Sequence, residues 1–413
     1  MAVNLIRNSR VFFTTNVDSQ GRVRAGLYKD DAQPFSISNT FEIQVLEGMT
    51  FSQNTTVDTV TLNEAGAAPA RGQRSFNTAL EPLDFTFSTY LRPYVNPGTD
   101  TVLGTGTDDY VTCEERHLWN AFGGSIAIGS AGAAWTNGTA SNTATAPGIF
   151  TVANSNKHQL QAFGLIVVFD DLAYALDNCA LDTATIDFGI DAIAAIQWAG
   201  KGSLIRQLTL TAGVATNNEV LFTGGDVTTT PGNPADKALA KNTAAKFITN
   251  KLTVLQVNDA INSSATTSDY SVPITGGSIT MSNNLTYLTP ANLGVVNLPI
   301  TYFTGTRSVT GTLTAYLRSG SAATGGLLKG LIDSAATEIN PSYAINIQMG
   351  GVTGTHVDVG LPAAMLQIPT VNTEQVISTT LTFTGQGHSG ATGSEVFNID
   401  SSNEVTVKYY ATA

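Results

Sequence analysis

The chain has 413 residues and a formal net charge of −12, with 13% charged residues and 39 glycines. Thr, Ser, Gly, Asn, Ala and Val dominate, and this composition favours strands and tight turns over amphipathic helices. No segment approaches the ~18 consecutive apolar residues that a membrane span requires, and the first residues lack the pattern of a secretory signal. A mainly β chain of this length is expected to form two domains.

Strands are predicted wherever apolar and polar residues alternate with a period of two. The alternation is clear in residues 41–46, 85–91 and 186–188. It is typical of sheets that have one buried face and one face in water. The sequence therefore predicts sheets with a single wet face.

One short helix is predicted in each half of the chain. In the first, residues 113–122 place Leu118 and Phe122 one turn apart, with Glu114 and Glu115 at the start, where the helix dipole favours acids. A glycine pair then ends the helix. In the second half an apolar stripe begins after another glycine pair. The stripe consists of Leu327, Leu328, Leu331, Ile332 and Ala335.

Segments of the first half recur in the same order in the second half, which indicates one building block used twice. Residues 5–16 match 247–258, 49–56 match 279–286, 86–92 match 312–318, and 185–202 match 370–387. The offset falls from 242 to 230, 226 and 185, as insertions confined to loops of the first copy would produce. Shared Thr-x-Thr alternation could produce any single match by chance, but four collinear matches favour duplication.

The duplication predicts a division of the chain into two β domains. The first domain spans 1–230, with long loop insertions at about 94–112 and 123–150, and the second spans 244–413. Residues 231–243 continue a stretch rich in Gly, Pro and Thr and are predicted to be a linker. The segment between Gly123 and Gly148 is predicted to be a surface loop that carries Trp135 as its aromatic residue.

The sequence contains no recognisable constellation for catalysis. Adjacent carboxylates, as in Glu114-Glu115 and Asp170-Asp171, point in different directions along a helix or a strand. The glycines form no phosphate-binding fingerprint, and no Gly-x-Ser-x-Gly elbow occurs. We therefore predict that the protein is not an enzyme and needs no cofactor.

A metal site is not predicted either. The four histidines lack the close spacing of metal ligands, and neither Cys113 nor Cys179 belongs to a Cys-x-x-Cys pair. The two cysteines are predicted to be free thiols, with a single bridge as the alternative. The histidines are His117, His158, His356 and His388.

The chain resembles the tail tube proteins of tailed bacteriophages in segments of its first half. These are 4–9 (Asn-Leu-Ile-Arg-Asn-Ser), 48–53 (Gly-Met-Thr-Phe-Ser-Gln), 71–77 (Arg-Gly-Gln-Arg-Ser-Phe-Asn) and 87–93 (Phe-Ser-Thr-Tyr-Leu-Arg-Pro). The second half resembles the family more loosely, through its repeated strands. The resemblance implies a mainly β fold of two tandem tail-tube-like β-barrel or sandwich domains, each with one short flanking helix.

The resemblance also implies how such a chain assembles. Inner sheets of the family join side by side into rings of sixfold or pseudo-sixfold form, and the rings stack into a hollow tube that conducts DNA into the host. Three copies of a chain with two tube domains would complete a ring. This chain fits the scheme of three copies, because both of its halves keep the repeated strands and its length is well above that of single-domain members. Six copies would be needed if the second copy of the building block is only a decoration.

Partners and location follow from the same resemblance. They are further copies of the chain within a ring and in adjacent rings, the tape measure protein, tail terminator and baseplate or tip proteins, and a sheath if the tail is contractile. DNA would pass without specific binding, and the acidic balance fits passage because walls without Lys and Arg do not hold phosphate. Acidity also serves solubility. The expected location is the tail of the virion, after assembly in the host cytoplasm.

Candidate interface residues lie on the repeated strands and in one loop. Arg71 and Arg74 belong to the segment 67–77, a candidate for contacts between stacked rings. Trp198 and Phe383 occupy matching positions and are predicted to be core or interface anchors. The candidates on the Tyr-Leu-Arg strands are Tyr90, Arg92, Tyr316 and Arg318.

Two other functions fit a chain of this composition. One is an adhesion or carbohydrate-binding virion protein of two β-sandwiches, in which Trp135 and Tyr94 would form a platform for a glycan. The other is a capsid decoration protein. Both would also be mainly β and non-enzymatic, so particle shape is the feature that separates them from a tube.

Overall fold

The structure is a computed structural model, and it describes most of both halves of the chain. The described residues are 9–24, 39–60, 73–96, 109–124, 128, 130, 133–140, 145–152, 160–169, 172–208, 246–259, 269–293, 295–337, 342–372, 376–387 and 403–412. The predicted linker at 231–243 and the candidate interface residue Arg71 lie outside these residues.

Strands dominate the described part of the chain, which confirms the predicted mainly β class. The first half contains β1 (Ser9–Thr14), β2 (Thr40–Ile43), β3 (Thr50–Ser52), β4 (Thr55–Val60), β5 (Arg74–Leu80), β6 (Leu83–Tyr90), β7 (Pro93–Asn96), β8 (Tyr110–Cys113), α1 (Arg116–Gly123), β9 (Trp135–Thr136), β10 (Gly148–Thr151), β11 (Phe163–Phe169), β12 (Leu172–Gly189), β13 (Ala195–Gly202) and β14 (Leu204–Leu208).

The second half has fewer elements between its strands. It begins with a 3-10 turn (Asn250–Leu252) and contains β15 (Val254–Asn258), β16 (Asp269–Val272), β17 (Ile274–Ser282), β18 (Leu285–Leu288), β19 (Thr301–Thr304), β20 (Ser308–Tyr316), α2 (Thr324–Thr337), β21 (Tyr343–Met349), β22 (His356–Leu366), β23 (Thr370–Asn372), β24 (Ser378–Gln386) and β25 (Thr406–Tyr410). Neither α1 nor α2 is long and apolar enough to cross a membrane, and the described residues contain no helix that is.

In the first half the long strand β12 takes part in two sheets. Its beginning lies between β11 and β14, and the order there is β2-β1-β11-β12-β14. Its end pairs with β13, which pairs with β6, and β6 pairs with β3. All these pairings are antiparallel. The shared strand therefore joins two sheets that enclose apolar side chains between them.

The strands of the second half pair in a similar order. One sheet runs β16-β15-β21-β22-β25. The other runs from β17 to β20 and β24, and β24 then pairs with the end of β22 and with β23. The division of the chain into two domains at 231–243 stays a prediction, because the boundary falls outside the described residues.

The two halves meet edge to edge in one continuous sheet. Residues 183–189 of β12 pair with residues 276–282 of β17, so the strands follow the order β3-β6-β13-β12-β17-β20-β24-β23. We call this array the long sheet. A second link is the C-terminal strand β25, which pairs with β10 of the first half and β22 of the second.

One face of the long sheet is covered by the largest side chains of the protein. Trp198 is fully buried and meets Trp119 of α1 edge to face, with ring centroids 4.9 Å apart. The indole N–H of Trp119 donates to the hydroxyl of Tyr409 at 2.8 Å, so helix α1 is tied to the C-terminal strand. This core holds the long sheet in place and leaves its opposite face in solvent.

The two helices differ in detail from their predictions. Helix α1 begins at Arg116 and not at residue 113, because β8 pairs with β7 as far as Cys113. It includes Gly123 and ends at Gly124. Helix α2 includes the glycine pair that was expected to precede it, and Ile332 of the predicted apolar stripe is 49% exposed.

Trp135 does not lie on a surface loop. It belongs to β9, is fully buried, and meets the ring of Tyr409 at 5.4 Å. Strand β9 pairs with β10, which in turn pairs with β25. Whether residues 94–112 and 123–150 are insertions stays a prediction, but the part around Trp135 belongs to the core.

Candidate functional site

The solvent face of the long sheet is formed mainly by hydroxyl groups. Because side chains alternate along each strand, the residues between the buried aromatic and aliphatic positions all point to this face. It contains Thr50, Ser52, Thr86, Ser88, Thr183, Thr185, Ser278, Thr280, Ser282, Ser308, Thr310, Thr312, Thr314, Ser378, Thr380, Thr382 and Thr384, each exposed or half-buried. We call it the hydroxyl face.

The pairing register aligns these residues in rows across the strands. One row runs through six strands and consists of Ser88, Gln197, Thr185, Thr280, Thr310 and Thr384. Neighbouring hydroxyls bind each other where strands meet: Thr185 and Thr280 lie 3.1 Å apart, and Thr50 and Thr86 lie 2.9 Å apart. The face is therefore a continuous polar surface.

Few charges lie on the hydroxyl face. Across the paired residues of its eight strands, the charged side chains are Asp84, Asp187 and Lys201. Lys201 donates to Asp84 at 2.7 Å, so these two charges compensate each other. The described face consequently carries a net charge near −1, although the whole chain carries −12.

The long sheet ends in two open edges. Strand β3 pairs only with β6, and β23 pairs only with β24, within the described ranges. An open edge presents a row of backbone donors and acceptors to any strand that can align with it. We call these two strands the outer edges.

Apolar side chains are exposed beside one of the outer edges. Val371 of β23 is 37% exposed, and Ile368 just before it is 55% exposed. At the centre of the long sheet, where β12 meets β17, Ile186 and Ile279 are fully buried. Aliphatic side chains are thus exposed to water at this outer edge, whereas they are buried where β12 meets β17, which we call the central junction.

Two strand pairs project apolar side chains into solvent. The pair β4–β5 follows β3, and the pair β18–β19 follows β17. The two are linked, because the N–H of Leu80 donates to the carbonyl of Asn297 at 2.9 Å. The exposed apolar residues are Val57, Val60, Phe76, Leu288, Leu293, Val295, Val296, Leu298, Ile300 and Phe303. We call them the hairpin patch.

The hairpin patch rests on an ordered base. Tyr287 is buried and donates its hydroxyl to the carbonyl of Asn178 at 2.6 Å, and Tyr302 donates to the carbonyl of Leu160 at 2.8 Å. Burial raises the pKa of Tyr302 to about 12, so this hydroxyl stays a donor at neutral pH. Contiguous exposed apolar surface on a well-held element is typical of an interaction site.

The predicted interface residues occupy very different environments. Tyr90 is half-buried and meets Phe247 edge to face at 5.3 Å. Tyr316, Arg318 and Arg74 are exposed. Their role at an interface stays a prediction.

Three other predicted interface residues lie inside the chain. Trp198 and Phe383 are buried in the core, and the indole N–H of Trp198 donates to the Thr89 hydroxyl at 3.0 Å. Arg92 is buried as well; it donates to Gln44 Oε1 at 2.6 Å and lies 3.4 Å from Glu114. Burial leaves these side chains almost no surface for a neighbouring chain.

A pair of buried carboxyl groups lies beside Arg92. Burial raises the pKa of Glu114 to about 7, although the N–H of Gln44 and the charge of Arg92 oppose the rise. Burial also raises the pKa of Glu115 to about 8, and the nearby Glu114 carboxylate adds to it. These residues were predicted as a favourable helix start, but Glu115 forms no side-chain cap and lies in the core.

The two cysteines and the two described histidines pack against other side chains, whereas His158 and His388 lie outside the described residues. Cys113 and Cys179 are buried free thiols, and burial raises the pKa of each. His117 stacks on Phe41 with ring centroids 3.6 Å apart, and His356 stacks on Tyr410 at 4.2 Å. Within the described part of the chain, no three His, Cys, Asp or Glu side chains cluster closely enough to hold a metal ion.

The proposed glycan platform is absent from the surface. Tyr94 and Trp135 are each 1% exposed, and the hydroxyl of Tyr94 accepts a hydrogen bond from buried Arg116 at 2.9 Å. Two aromatic rings that lie in the core cannot stack on a sugar. The structure therefore removes the residues on which the carbohydrate-binding hypothesis depended.

Sequence reasoning missed the outer edges and the hairpin patch. A signal for the patch was present: residues 293–300 contain five apolar residues in a short stretch without an alternating pattern. Nothing in the sequence marks an open edge, since openness depends on which strands pair. Together, the hydroxyl face, outer edges and hairpin patch define a structural β protein with surfaces suited to association through sheets.

Comparison with known proteins agrees with this class. No family model matches the chain. The chain is similar to the tail tube protein pb6 of Escherichia phage T5, with 29% identity over 390 residues, which are 93% of this chain and 72% of that protein. The resemblance to phage tail tube proteins is thereby confirmed, and it supports a structural role in the tail tube of a phage virion.

Proposed function

We propose that the chain is the self-assembling subunit of a hollow tail tube, in which three chains close a ring and stacked rings form the conduit for DNA. The observation that carries the proposal is the long sheet. At its central junction, β12 pairs with β17. By the repeat offsets, β23 is the counterpart of β12 and β3 is the counterpart of β17, so the two outer edges correspond to the two strands of the central junction. A contact that already exists inside each chain can therefore recur between chains.

The repeat offsets define the register of this contact. The offset of 185 residues carries Thr185 to Thr370, and the offset of 230 carries Thr280 back to Thr50. In the central junction Thr185 lies opposite Thr280. Transferred to the outer edges, the same register places Thr370 of one chain opposite Thr50 of the next.

Burial supports the transfer. The counterparts of Ile186 and Ile279 in this register are Val371 and Met49. The isoleucines are fully buried, whereas Val371 is 37% exposed and Met49 is half-buried. A neighbouring chain would cover both, and burial of apolar surface contributes about 25 cal/mol for each Å² removed from water.

Closure into a ring also accounts for the edges themselves. A long sheet with two open edges would otherwise be able to recruit strands without limit. A ring satisfies the backbone groups of every edge and stops growth at a fixed number of chains. Two repeats in each chain give three chains for a pseudo-sixfold ring, while six chains would be required if only one repeat joined the ring.

Stacking of rings is assigned to the hairpin patch. Phe76 and Phe303 are more than half exposed, and the patch that contains them stands beside the long sheet without a covering element in the described structure. Only part of the earlier candidate, 67–77, is described, and Arg74 lies in β5, the strand that also carries Phe76 of the hairpin patch. In a tube, the adjacent ring would cover this surface.

The remaining partners belong to the same proposal. The tape measure protein would occupy the bore during assembly, and terminator and tip proteins would cover the stacking surfaces that the last ring at each end leaves exposed. Assembly would take place in the host cytoplasm, and DNA would pass through the finished tube. The role is structural and not catalytic.

Cysteine cross-linking tests the edge contact. The double variant Thr50→Cys with Thr370→Cys places one thiol on each outer edge, so mild oxidation can join only different chains. Cys113 and Cys179 are buried and do not compete. In a ring of three, the covalent ladder on a non-reducing gel ends at the trimer, and electron microscopy shows rings or rods.

A matched control has the second thiol within the sheet. The double variant Thr50→Cys with Thr312→Cys keeps the first position and moves the other to the middle strand β20, so no ladder is expected. A ladder that ends at the hexamer would favour the six-chain ring. Rods whose Thr50→Cys and Thr370→Cys thiols never cross-link would contradict the proposed contact.

A further inference from the structure

We propose that residues 4–8 of one chain bind the strand end Tyr316-Leu317-Arg318 of the neighbouring chain, in the way that residues 246–250 bind Tyr90-Leu91-Arg92 within each chain. We call residues 4–8 the N-terminal segment and residues 246–250 the junction segment. The inference rests on the proposed ring, and it adds a contact between chains that lies outside the paired edges. The N-terminal segment is not among the described residues, whereas the surface that it would cover is.

The junction segment ties the second half of the chain to the first. Two backbone hydrogen bonds, of 2.8 and 3.0 Å, join it to residues 192–194, which connect β12 to β13. Within this contact Ile193 and Thr249 form an antiparallel bridge. Ile248 is 2% exposed and belongs to the core. The second half is therefore bound to the first by a segment that lies outside the long sheet.

The junction segment also covers the Tyr-Leu-Arg strand end of the first half. The ring of Phe247 meets Tyr90 edge to face at 5.3 Å, and the guanidinium group of Arg92 lies over the same ring at 4.7 Å from its centroid. Both arrangements are favourable for an aromatic ring. Leu91 is fully buried and Arg92 is 3% exposed. This strand end therefore has a partner inside the chain.

The second half contains an equivalent strand end. The N–H of Leu317 donates to the carbonyl of Ile377 at 3.0 Å, and the N–H of Leu91 donates to the carbonyl of Ala194 at the same distance. The pair β20–β24 has the same register at this end as the pair β6–β13. Ile377 and Ala194 therefore occupy equivalent positions in the two halves.

This second strand end is exposed where the first is covered. Tyr316 is 48% exposed, Val376 is 60% exposed and Ile377 is 43% exposed, and Arg318 is exposed as well. We call these four residues the strand-end surface. Ala194, the equivalent of Ile377, is fully buried. Adjacent apolar side chains in water, at a position that is covered in the other half, indicate a surface for binding.

The repeat identifies the occupant of the strand-end surface. The offset of 242 residues relates the junction segment, with Phe-Ile-Thr-Asn at 247–250, to the N-terminal segment, with Leu-Ile-Arg-Asn at 5–8. In the proposed ring, the first half of the next chain lies against β23 as the second half of the same chain lies against β12. The N-terminal segment of the next chain is then the counterpart of the junction segment.

Cysteine cross-linking between differently tagged chains tests the contact. Ile193 and Thr249 form a non-hydrogen-bonded antiparallel pair, whose Cα atoms lie about 4.5 Å apart, close enough for a disulfide. Their counterparts are Val376 and Arg7. Chains with Arg7→Cys and longer-tagged chains with Val376→Cys are mixed, assembled and mildly oxidised. We expect a disulfide that joins one chain of each length on a non-reducing gel.

Two controls separate this contact from others. Ile193→Cys with Thr249→Cys in one chain should form its disulfide within the chain before assembly. Chains with Arg7→Cys are also assembled with chains that carry Leu293→Cys, in the fully exposed part of the hairpin patch, and no disulfide is expected. A disulfide to Leu293→Cys in place of Val376→Cys would assign the N-terminal segment to the adjacent ring and overturn the inference.

Assembly of a second variant provides an independent measure. Ile6→Asp puts a charge where the counterpart Ile248 is buried, so the protein concentration needed for half-maximal assembly should rise about tenfold. Arg7→Thr, which introduces the residue found at the exposed position 249, should assemble like the native chain. Unassembled Ile6→Asp should unfold at the native urea concentration. Native-like assembly of Ile6→Asp, or lower stability of its unassembled form, would contradict the contact between chains.

The edge cross-link distinguishes this inference from the proposed function. If Thr50→Cys with Thr370→Cys joins chains in rings, but Arg7→Cys and Val376→Cys never react with each other, the ring stands and the N-terminal contact is wrong. If neither pair reacts and no ring forms, the proposed function fails and this inference fails with it.

Discussion

Replacement of Glu115 by glutamine should remove a large part of the pH dependence of the stability of this protein, to which the buried Glu114 also contributes. Glu115 is fully buried behind β8, and its pKa rises from 4.5 to about 8 because burial penalises the charged form and the Glu114 carboxylate adds repulsion. In the unfolded chain the group would titrate near its ordinary value. Between pH 4.5 and about pH 8, Glu115 of the folded protein therefore keeps a proton that the same group in the unfolded chain has lost.

The sign and size of the effect follow from linkage. Since the folded state binds more protons, stability is highest at low pH and falls as pH rises from 4.5 to about 8. Each pH unit in this window costs about 1.4 kcal/mol, so Glu115 contributes a loss of about 5 kcal/mol across it. Such a loss is a large part of the total stability of a domain, roughly 5–15 kcal/mol.

Urea unfolding of the purified chain at pH 5, 6, 7, 8 and 9 measures this slope. The Glu115→Gln variant keeps the volume of the side chain and cannot ionise at this position, so its free energy of unfolding should depend less on pH, and Glu114 accounts for a remaining slope of the same sign. The exposed residue Glu47 supplies a control, because Glu47→Gln should retain the native slope. An unchanged slope in Glu115→Gln would refute the argument that burial keeps this carboxyl protonated.

Three further changes probe stacking, strand packing and the core. Phe303→Asp puts a charge into the hairpin patch, so electron microscopy should show single rings in place of tubes; long native-like tubes would contradict the assignment. Gly311→Ala would place a Cβ 2.3 Å from the Phe383 ring and should lower stability by about 1–3 kcal/mol in urea unfolding, whereas Gly189→Ala, with its nearest neighbour at 3.7 Å, serves as the tolerant control. Trp135→Ala should cost about 3–5 kcal/mol, measured by the same method, and a stability equal to that of the native chain would restore the surface-loop interpretation.

The sequence predicted the strands of the long sheet better than it predicted the surfaces of the molecule. The alternation in residues 85–91 corresponds to β6, with Phe85 and Phe87 buried and the intervening Thr86 and Ser88 towards solvent. This success has a local cause, since side chains of a strand alternate between faces whatever its partners are.

The candidate site was less accessible to sequence reasoning. Trp135 was assigned to a surface loop and, together with Tyr94, to the glycan platform of an alternative function, but both side chains are buried. Arg92 was expected at an interface and is instead buried beside Glu114, which lies 22 positions away in the chain. An aromatic or a charged residue can lie either at an exposed surface or in the core, and the packing of the folded protein decides which.

The amino-acid sequence by itself determined the mainly β class, the two short helices and the threonine-rich alternation, because these depend on neighbours within a few residues. Tertiary structure alone decided that the threonines align into one nearly neutral face, that β3 and β23 have open edges, and that Glu115 is buried. These properties arise from pairings between residues far apart in the chain, and their free energies depend on what surrounds each group after folding.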